Sequence, residues 1–112
     1  YDGAYYLAGY AIECSLKACI ARRIRRHDFP DLKLAKASYT HKLGALIRVA
    51  ELDAELARES RGNATFERNW AVVKDWEVDA RYLRRNAREA NDIYSAITSR
   101  QHGVMRWLRS VW

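Results

Sequence analysis

The sequence predicts an all-α fold, an up-and-down bundle of four to five helices. Glycine is scarce and proline occurs once, so few positions interrupt a helix. Apolar residues recur at spacings of three and four over long stretches, and no segment shows the strict alternation of a strand. The chain of 112 residues suits one core, and we expect residues 1–112 to form a single domain.

The first predicted helix runs from about Asp2 to Arg26 and ends before Pro30, which lacks an amide donor. It carries two apolar lines at helical spacing. A helix that is apolar on two sides is buried on two sides, so we expect it to be central or to join a subunit interface. One line is Leu7, Tyr10, Ala11, Cys14 and Ala18, and the other is Tyr5, Ile12, Leu16, Cys19 and Ile20.

Three more helices follow in the prediction. The second covers about 41–59, with Thr40 as its N-cap and the segment 61–63, Arg-Gly-Asn, closing it through left-handed geometry. The third carries Phe66, Trp70 and Val73, with Trp76 as a further candidate. After a break or kink near 79–86, the fourth helix runs from about 90 to the end. Gly103 inside it lowers helix stability by about 1 kcal/mol relative to alanine.

The charge balance favours a polyanionic partner. The net charge is +6, with fifteen arginines and five lysines. The planar guanidinium holds a phosphate bidentately or stacks on a base, so RNA or a nucleotide is an expected partner. The alternative is that the arginines pair within helices with the fourteen acidic residues, as exposed helix faces often do.

Several classes of protein and site are excluded by the sequence. Glu13, Lys17 and the arginines from Arg22 interrupt the longest apolar stretch, which leaves less than the roughly 18 residues that a membrane span needs. The N-terminus lacks the features of a signal peptide, so we expect the cytoplasm. Cys14 and Cys19 point about 140° apart on a helix and have no neighbouring histidines, which predicts neither a disulfide nor a metal site. No cofactor is predicted.

The segment 5–18, YYLAGYAIECSLKA, resembles the opening helix of HEPN domains, small helical modules named for nucleotide binding. The resemblance implies a helical bundle that usually dimerises and works in toxin–antitoxin, phage-defence or RNA-processing systems. It also implies an antitoxin or a nucleotidyltransferase as a candidate partner. Later positions that fit the same pattern are His41, Lys42, Leu43, Trp70, Val73, Trp76, Arg81 and Tyr82.

Many HEPN proteins are metal-independent ribonucleases that carry an arginine and a histidine separated by four to six residues. The histidine can move a proton of the ribose or of the leaving oxygen while the arginine neutralises the phosphate. In this chain Arg22 and His27 have that spacing and are the candidate catalytic pair. The alternative for this segment is a cationic last turn that the helix dipole stabilises. The later helices have no histidine until His102, which leaves cleavage undecided.

The candidate binding residues combine charge with helical position. Glu13 and Lys17 lie one turn apart and can pair, or Glu13 can join Arg81 or Tyr82 in a structural network. His41 either makes a local hydrogen bond at a helix start or belongs to a site. The full set is Glu13, Lys17, Arg23, Arg25, Arg26, His41, Lys42, Arg81 and Tyr82.

These observations give three functional hypotheses. The first is a HEPN-like, dimeric module that binds RNA or nucleotides. The second is a ribonuclease toxin that uses Arg22 and His27, or an assembly across the dimer that uses His41 or His102. The third is a docking partner of another protein such as a nucleotidyltransferase, in which the arginines meet an acidic surface.

Overall fold

The computed structural model describes residues 2–27, 37, 39–77 and 85–112, except for the side chains of 24–27. These ranges contain helices and no strand, which confirms the all-α prediction for them. The six helices are α1 (Asp2–His27), α2 (Leu43–Val49), α3 (Asp53–Gly62), α4 (Ala64–Lys74), α5 (Ala87–Thr98) and α6 (Val104–Val111).

The long helix α1 packs against α2, α5 and α6, and α4 packs against α5. The apolar line of α1 that begins at Tyr5 is buried, as predicted. The described residues leave most of the other line uncovered. Leu7 is 63% exposed, and Tyr10, Ala11 and Cys14 are exposed beside it, whereas Ala18 is half-buried. We call Leu7, Tyr10, Ala11 and Cys14 the outer stripe. The helix is therefore central on one side and open on the other.

The predicted second helix is divided into α2 and α3. The chain turns at 50–52, where the Leu52 amide donates to the Ile47 carbonyl and the Glu51 amide to Arg48, both at 3.0 Å. Glu51 adopts the left-handed conformation with φ 57°, and Leu52 is buried, which together end α2. The predicted cap is also wrong, because α2 begins at Leu43 and Thr40 accepts only the amide of Lys42, at 3.3 Å.

The predicted end of the next helix at 61–63 is confirmed, since α3 ends at Gly62. Its predicted left-handed geometry is wrong, because Asn63 is extended, with φ −148° and ψ 94°. Asn63 follows α3 directly and is also the N-cap of α4, where its side-chain oxygen accepts the Phe66 amide at 3.0 Å. One residue thus ends one helix and begins another.

The predicted fourth helix is also divided, into α5 and α6. A capping box begins α5. The Asn86 side chain accepts a hydrogen bond from the Glu89 amide at 2.8 Å, and the Glu89 carboxylate accepts one from the Asn86 amide. The chain then turns at 99–103. A Cβ at Gly103 would lie 2.4 Å from the Ser99 carbonyl oxygen, so this turn needs glycine. Of the predicted break near 79–86, residues 79–84 lie outside the described ranges.

The core lies between the buried side of α1 and helices α2, α4, α5 and α6. Trp76 is 1% exposed and lies directly on Gly9, where a Cβ would come within 2.2 Å of the indole ring. Phe66 and Trp107 meet at a centroid distance of 5.5 Å. Among the residues described, Glu13 is the one charged side chain in this apolar interior. No helix in the described ranges is long and apolar enough to cross a bilayer.

Candidate functional site

The buried carboxylate of Glu13 meets the imidazole of His41. Helix α1 presents Glu13 to the side where α2 packs, and His41 lies two residues before α2 begins. The Glu13 Oε1 and His41 Nδ1 atoms are 2.8 Å apart. The Glu13 side chain is 3% exposed and the His41 side chain is 51% exposed. The pair therefore joins the core to the surface.

The chemistry of this contact fixes the histidine ring. A carboxylate in its ionised form only accepts hydrogen bonds, and with that form the shared hydrogen lies on Nδ1 of His41. The contact also offsets the cost of burying the Glu13 charge. In the neutral ring Nε2 is left as a proton acceptor, and no described residue hydrogen-bonds it. A half-exposed imidazole oriented by a buried carboxylate can act as a general base or acid.

The predicted partners of Glu13 were Lys17, Arg81 and Tyr82. Lys17 is half-buried and forms no ion pair with Glu13, whose ion-pair partner among the described residues is His41. Arg81 and Tyr82 lie outside the described ranges. The bond of His41 joins residues 28 positions apart and is not the local helix-start bond that was the alternative for it. Lys42 is exposed next to His41.

The candidate catalytic pair, Arg22 and His27, lies in the last two turns of α1. Arg22 is exposed, and Arg23 forms an ion pair with Glu51 in the turn after α2. The side chains of Arg25, Arg26 and His27 lie outside the described part of the structure. The arrangement of Arg22 with His27 therefore stays a prediction.

The arginines of the described ranges are mostly not neutralised by acids. Three of them form ion pairs, and of these only Arg85 with Glu89 has the i, i+4 spacing of an intrahelical pair. Arg23 pairs with Glu51 and Arg106 with Glu59, each across elements. The arginines that are exposed and form no ion pair with a described acid are Arg22, Arg48, Arg58, Arg61, Arg68, Arg88, Arg100 and Arg109.

A second histidine is held in a polar cluster that the sequence did not reveal. The Asn63 amide nitrogen contacts His102 Nδ1 at 2.8 Å, and the Asn69 amide donates to the His102 carbonyl at 2.8 Å. The His102 amide donates to the Ser99 hydroxyl at 3.3 Å. These bonds tie the turn at 99–103 to α4. No spacing in the sequence marks the bonds from Asn63 and Asn69, because these two join residues more than thirty positions apart.

Arg85 forms the other charged contact with the core. Its guanidinium lies 4.3 Å from the centroid of the Tyr5 ring and donates to Glu89 at 2.8 Å. The hydrogen bond to Glu89 raises the pKa of Arg85 and holds the pKa of Glu89 below its ordinary value. Burial raises the pKa of Tyr5, and the Arg85 charge opposes that shift. This cluster fastens the start of α5 to α1.

The described residues contain no group of three histidine, cysteine or carboxylate side chains that could hold a metal ion. The carboxylate–imidazole pair and the exposed arginines are the main chemical features of the described residues. No family model, curated protein or solved structure matches this chain.

Proposed function

We propose that this chain is a HEPN-like module that binds RNA or nucleotides in the cytoplasm, acts as a dimer and serves a toxin–antitoxin or phage-defence system. The observation that carries the proposal is the set of exposed arginines without a described acid partner. If these arginines formed ion pairs along the helices, their charge would be neutralised within the fold and would attract a partner less strongly.

Exposed, unpaired arginines favour a phosphate-bearing partner for two reasons. A polyanion that binds them releases its condensed counterions, which drives association at low salt. Each guanidinium also offers a planar set of donors that matches two phosphate oxygens. An acidic protein surface satisfies the second reason, because a carboxylate also offers two oxygens to a guanidinium. It lacks the condensed counterions of a nucleic acid, so the first reason makes nucleic acid the better fit.

The outer stripe supports the dimer. It is an uncharged, exposed band on α1, and contiguous apolar surface on a small protein marks an interaction site. A second copy would cover Leu7, Tyr10 and Cys14 of this stripe. An antitoxin or a nucleotidyltransferase is the alternative occupant, as in the docking hypothesis.

The test is a titration of fluorescein-labelled single-stranded RNA, followed by anisotropy at several potassium chloride concentrations. We expect binding whose logarithmic affinity falls linearly with the logarithm of salt. Polyglutamate of matched charge serves as the control polyanion. RNA that binds no more tightly than polyglutamate would overturn the proposal in favour of an acidic protein partner.

The pair of Glu13 and His41 favours a second candidate function, metal-independent cleavage of RNA. Nε2 of His41 would accept the proton of a ribose 2′-hydroxyl while that oxygen attacks the adjacent phosphorus. The bond from phosphorus to the 5′-oxygen breaks, and the 5′-oxygen takes up a proton from water or a second acid. The products are a 2′,3′-cyclic phosphate and a 5′-hydroxyl end. Lys42, exposed beside His41, can neutralise the phosphate.

Cleavage of an RNA pool in EDTA by wild type and by single histidine variants tests this candidate. We expect His41→Gln to lose about 100-fold or more of the rate. His102→Gln is the matched comparison, because His102 is also partly buried and hydrogen-bonded but has no carboxylate partner among the described residues. Loss of cleavage in His102→Gln alone would assign the reaction to His102. Loss of cleavage in His27→Gln alone would assign the reaction to Arg22 and His27 instead. Absence of cleavage by the wild type would refute the candidate and leave the binding proposal standing.

A further inference from the structure

A groove of about 490 Å³ runs between α1 and the end of the chain. On one side α1 contributes Ala8 and Ala11. On the other side lie the last turns of α5, the following turn and α6. The volume falls within the range of about 300–1,000 Å³ that small-molecule sites occupy.

The floor and wall of the groove suit a flat ring. Ala8 and Ala11 are small, and they leave open space opposite Ile97 and Met105. Met105 is held against α1 by a contact of its sulfur with the Ser15 hydroxyl at 3.9 Å. Tyr94 lines the wall with 62% of its surface exposed. An exposed aromatic ring beside an apolar floor is a stacking surface for a base.

The rim of the groove is cationic. It carries Arg100, Arg106 and Arg109, and none of the described residues that line the groove is acidic. Arg106 is engaged by Glu59 at 2.9 Å, whereas Arg100 and Arg109 are exposed without an ion pair to a described acid. Arg100 follows the end of α5 and offsets the negative end of that helix. Arg109 lies in the last turn of α6 and offsets the negative end of that helix in the same way.

The groove is separate from the pair of Glu13 and His41. Successive residues of a helix turn by about 100°, so Ala11 and Glu13 point to nearly opposite sides of α1. The structure agrees, since Ala11 lines the groove and Glu13 is buried toward α2. A ligand in the groove therefore does not need the carboxylate–imidazole pair.

We propose that this groove binds one nucleotide unit of single-stranded RNA, with the base against Tyr94 and Met105 and the phosphate on Arg100 and Arg109. The inference rests on the proposed function and names the surface that performs it. Charge complementarity decides the occupant, because the groove joins an apolar floor and aromatic wall to a cationic rim. A nucleotide carries the same two chemistries, a flat ring and an anion, at the same short spacing.

The first experiment measures the affinity of the full chain for labelled single-stranded RNA after paired substitutions. We expect Arg100→Gln with Arg109→Gln to weaken binding about tenfold or more, since each guanidinium loses a charge-assisted contact. The control pair, Arg58→Gln with Arg61→Gln, removes the same charge from exposed positions of α3 that do not line the groove. Equal weakening by both pairs would overturn the groove proposal while leaving RNA binding intact.

The second experiment tests stacking and the source of the ligand. Tyr94→Ser should weaken binding of RNA about tenfold but leave an abasic oligonucleotide unchanged, because stacking needs the base. Tyr39→Ser, at another exposed tyrosine, is the control and should change neither. AMP is the competitor that separates the two sources, and we expect it to displace RNA only weakly. AMP that binds as tightly as the RNA would overturn the assignment to RNA, and wild type that binds neither would refute the proposed function itself.

Discussion

Replacement of Gly9 by alanine tests the closest packing contact in the structure. Gly9 lies in the interior of α1, directly under the indole of Trp76. An alanine Cβ there would lie 2.2 Å from the Trp76 Cγ, whereas ordinary contacts begin at 3.4 Å, so the ring would have to retreat by about 1.2 Å. Trp76 is 1% exposed and has little room to move.

Two opposing effects set the magnitude. Overpacking of a well-packed core costs about 1–3 kcal/mol, and the value here should lie at the upper end because a rigid ring must shift. Alanine in a helix interior is favoured over glycine by about 1 kcal/mol. We therefore expect Gly9→Ala to lower the free energy of unfolding by about 2 kcal/mol.

Urea denaturation followed by circular dichroism measures this change without relying on tryptophan emission. Gly3→Ala is the matched control on the same helix, since a Cβ at Gly3 meets nothing within 4 Å. It should raise stability by up to about 1 kcal/mol. Trp76→Leu should cost less in the Gly9→Ala background than in wild type, with a coupling of about 1 kcal/mol or more. A Gly9→Ala variant as stable as the Gly3→Ala variant would refute the close contact.

Three further predictions concern caps and charges. In urea denaturation the Glu51→Gly variant should be more stable than the Glu51→Ala variant by about 1 kcal/mol. Both variants lose the ion pair with Arg23, and only alanine keeps the backbone strain at φ 57°. Equal stabilities would argue against left-handed geometry at this position. Asn63→Ala should cost about 2 kcal/mol, as it removes a helix cap and the contact with His102, and a loss no larger than that of an exposed asparagine would contradict this. The hydrogen bond from Arg85 lowers the pKa of Glu89. Ionised Glu89 therefore stabilises the fold at pH values above the ordinary glutamate pKa of about 4.3, and this stabilisation is lost as the pH falls through the lowered pKa. Acid should thus destabilise wild type more than Glu89→Gln, which keeps the capping box; identical acid profiles would exclude this linkage.

The helical class could be predicted from the sequence because it depends on local spacing. Phe66, Trp70 and Val73 are buried on α4 at the predicted positions. The breaks at 50–52 and 99–103 were both missed, although Gly103 is a local signal for the second. Neither turn has a proline, and Glu51 is a residue that sequence rules do not associate with left-handed geometry. Tertiary burial of Leu52 supports that turn and leaves no local signal.

The candidate site was predictable only in part. Glu13 and His41 were both selected, Glu13 as a charge inside an apolar helix and His41 as a position of the family pattern. Their contact was not foreseen, because it joins residues 28 positions apart. The groove was hidden for another reason. Ala11 was predicted only as part of an apolar line, and Ala8 was not selected. Tyr94, Arg100 and Arg109 approach them only because the chain turns between α5 and α6.

Asn63 leaves the chain no slack between α3 and α4. The residue that ends one helix is the cap of the next, and its side chain also reaches the turn at 99–103. A single inserted residue would have to displace either the end of α3 or the cap of α4. Displacing the cap would also break the contact of Asn63 with His102. Insertions and deletions should therefore be tolerated better in the other connections between helices. A peptide tag or a fused domain placed at this junction would disrupt the fold, however exposed the neighbouring Arg61 and Gly62 are.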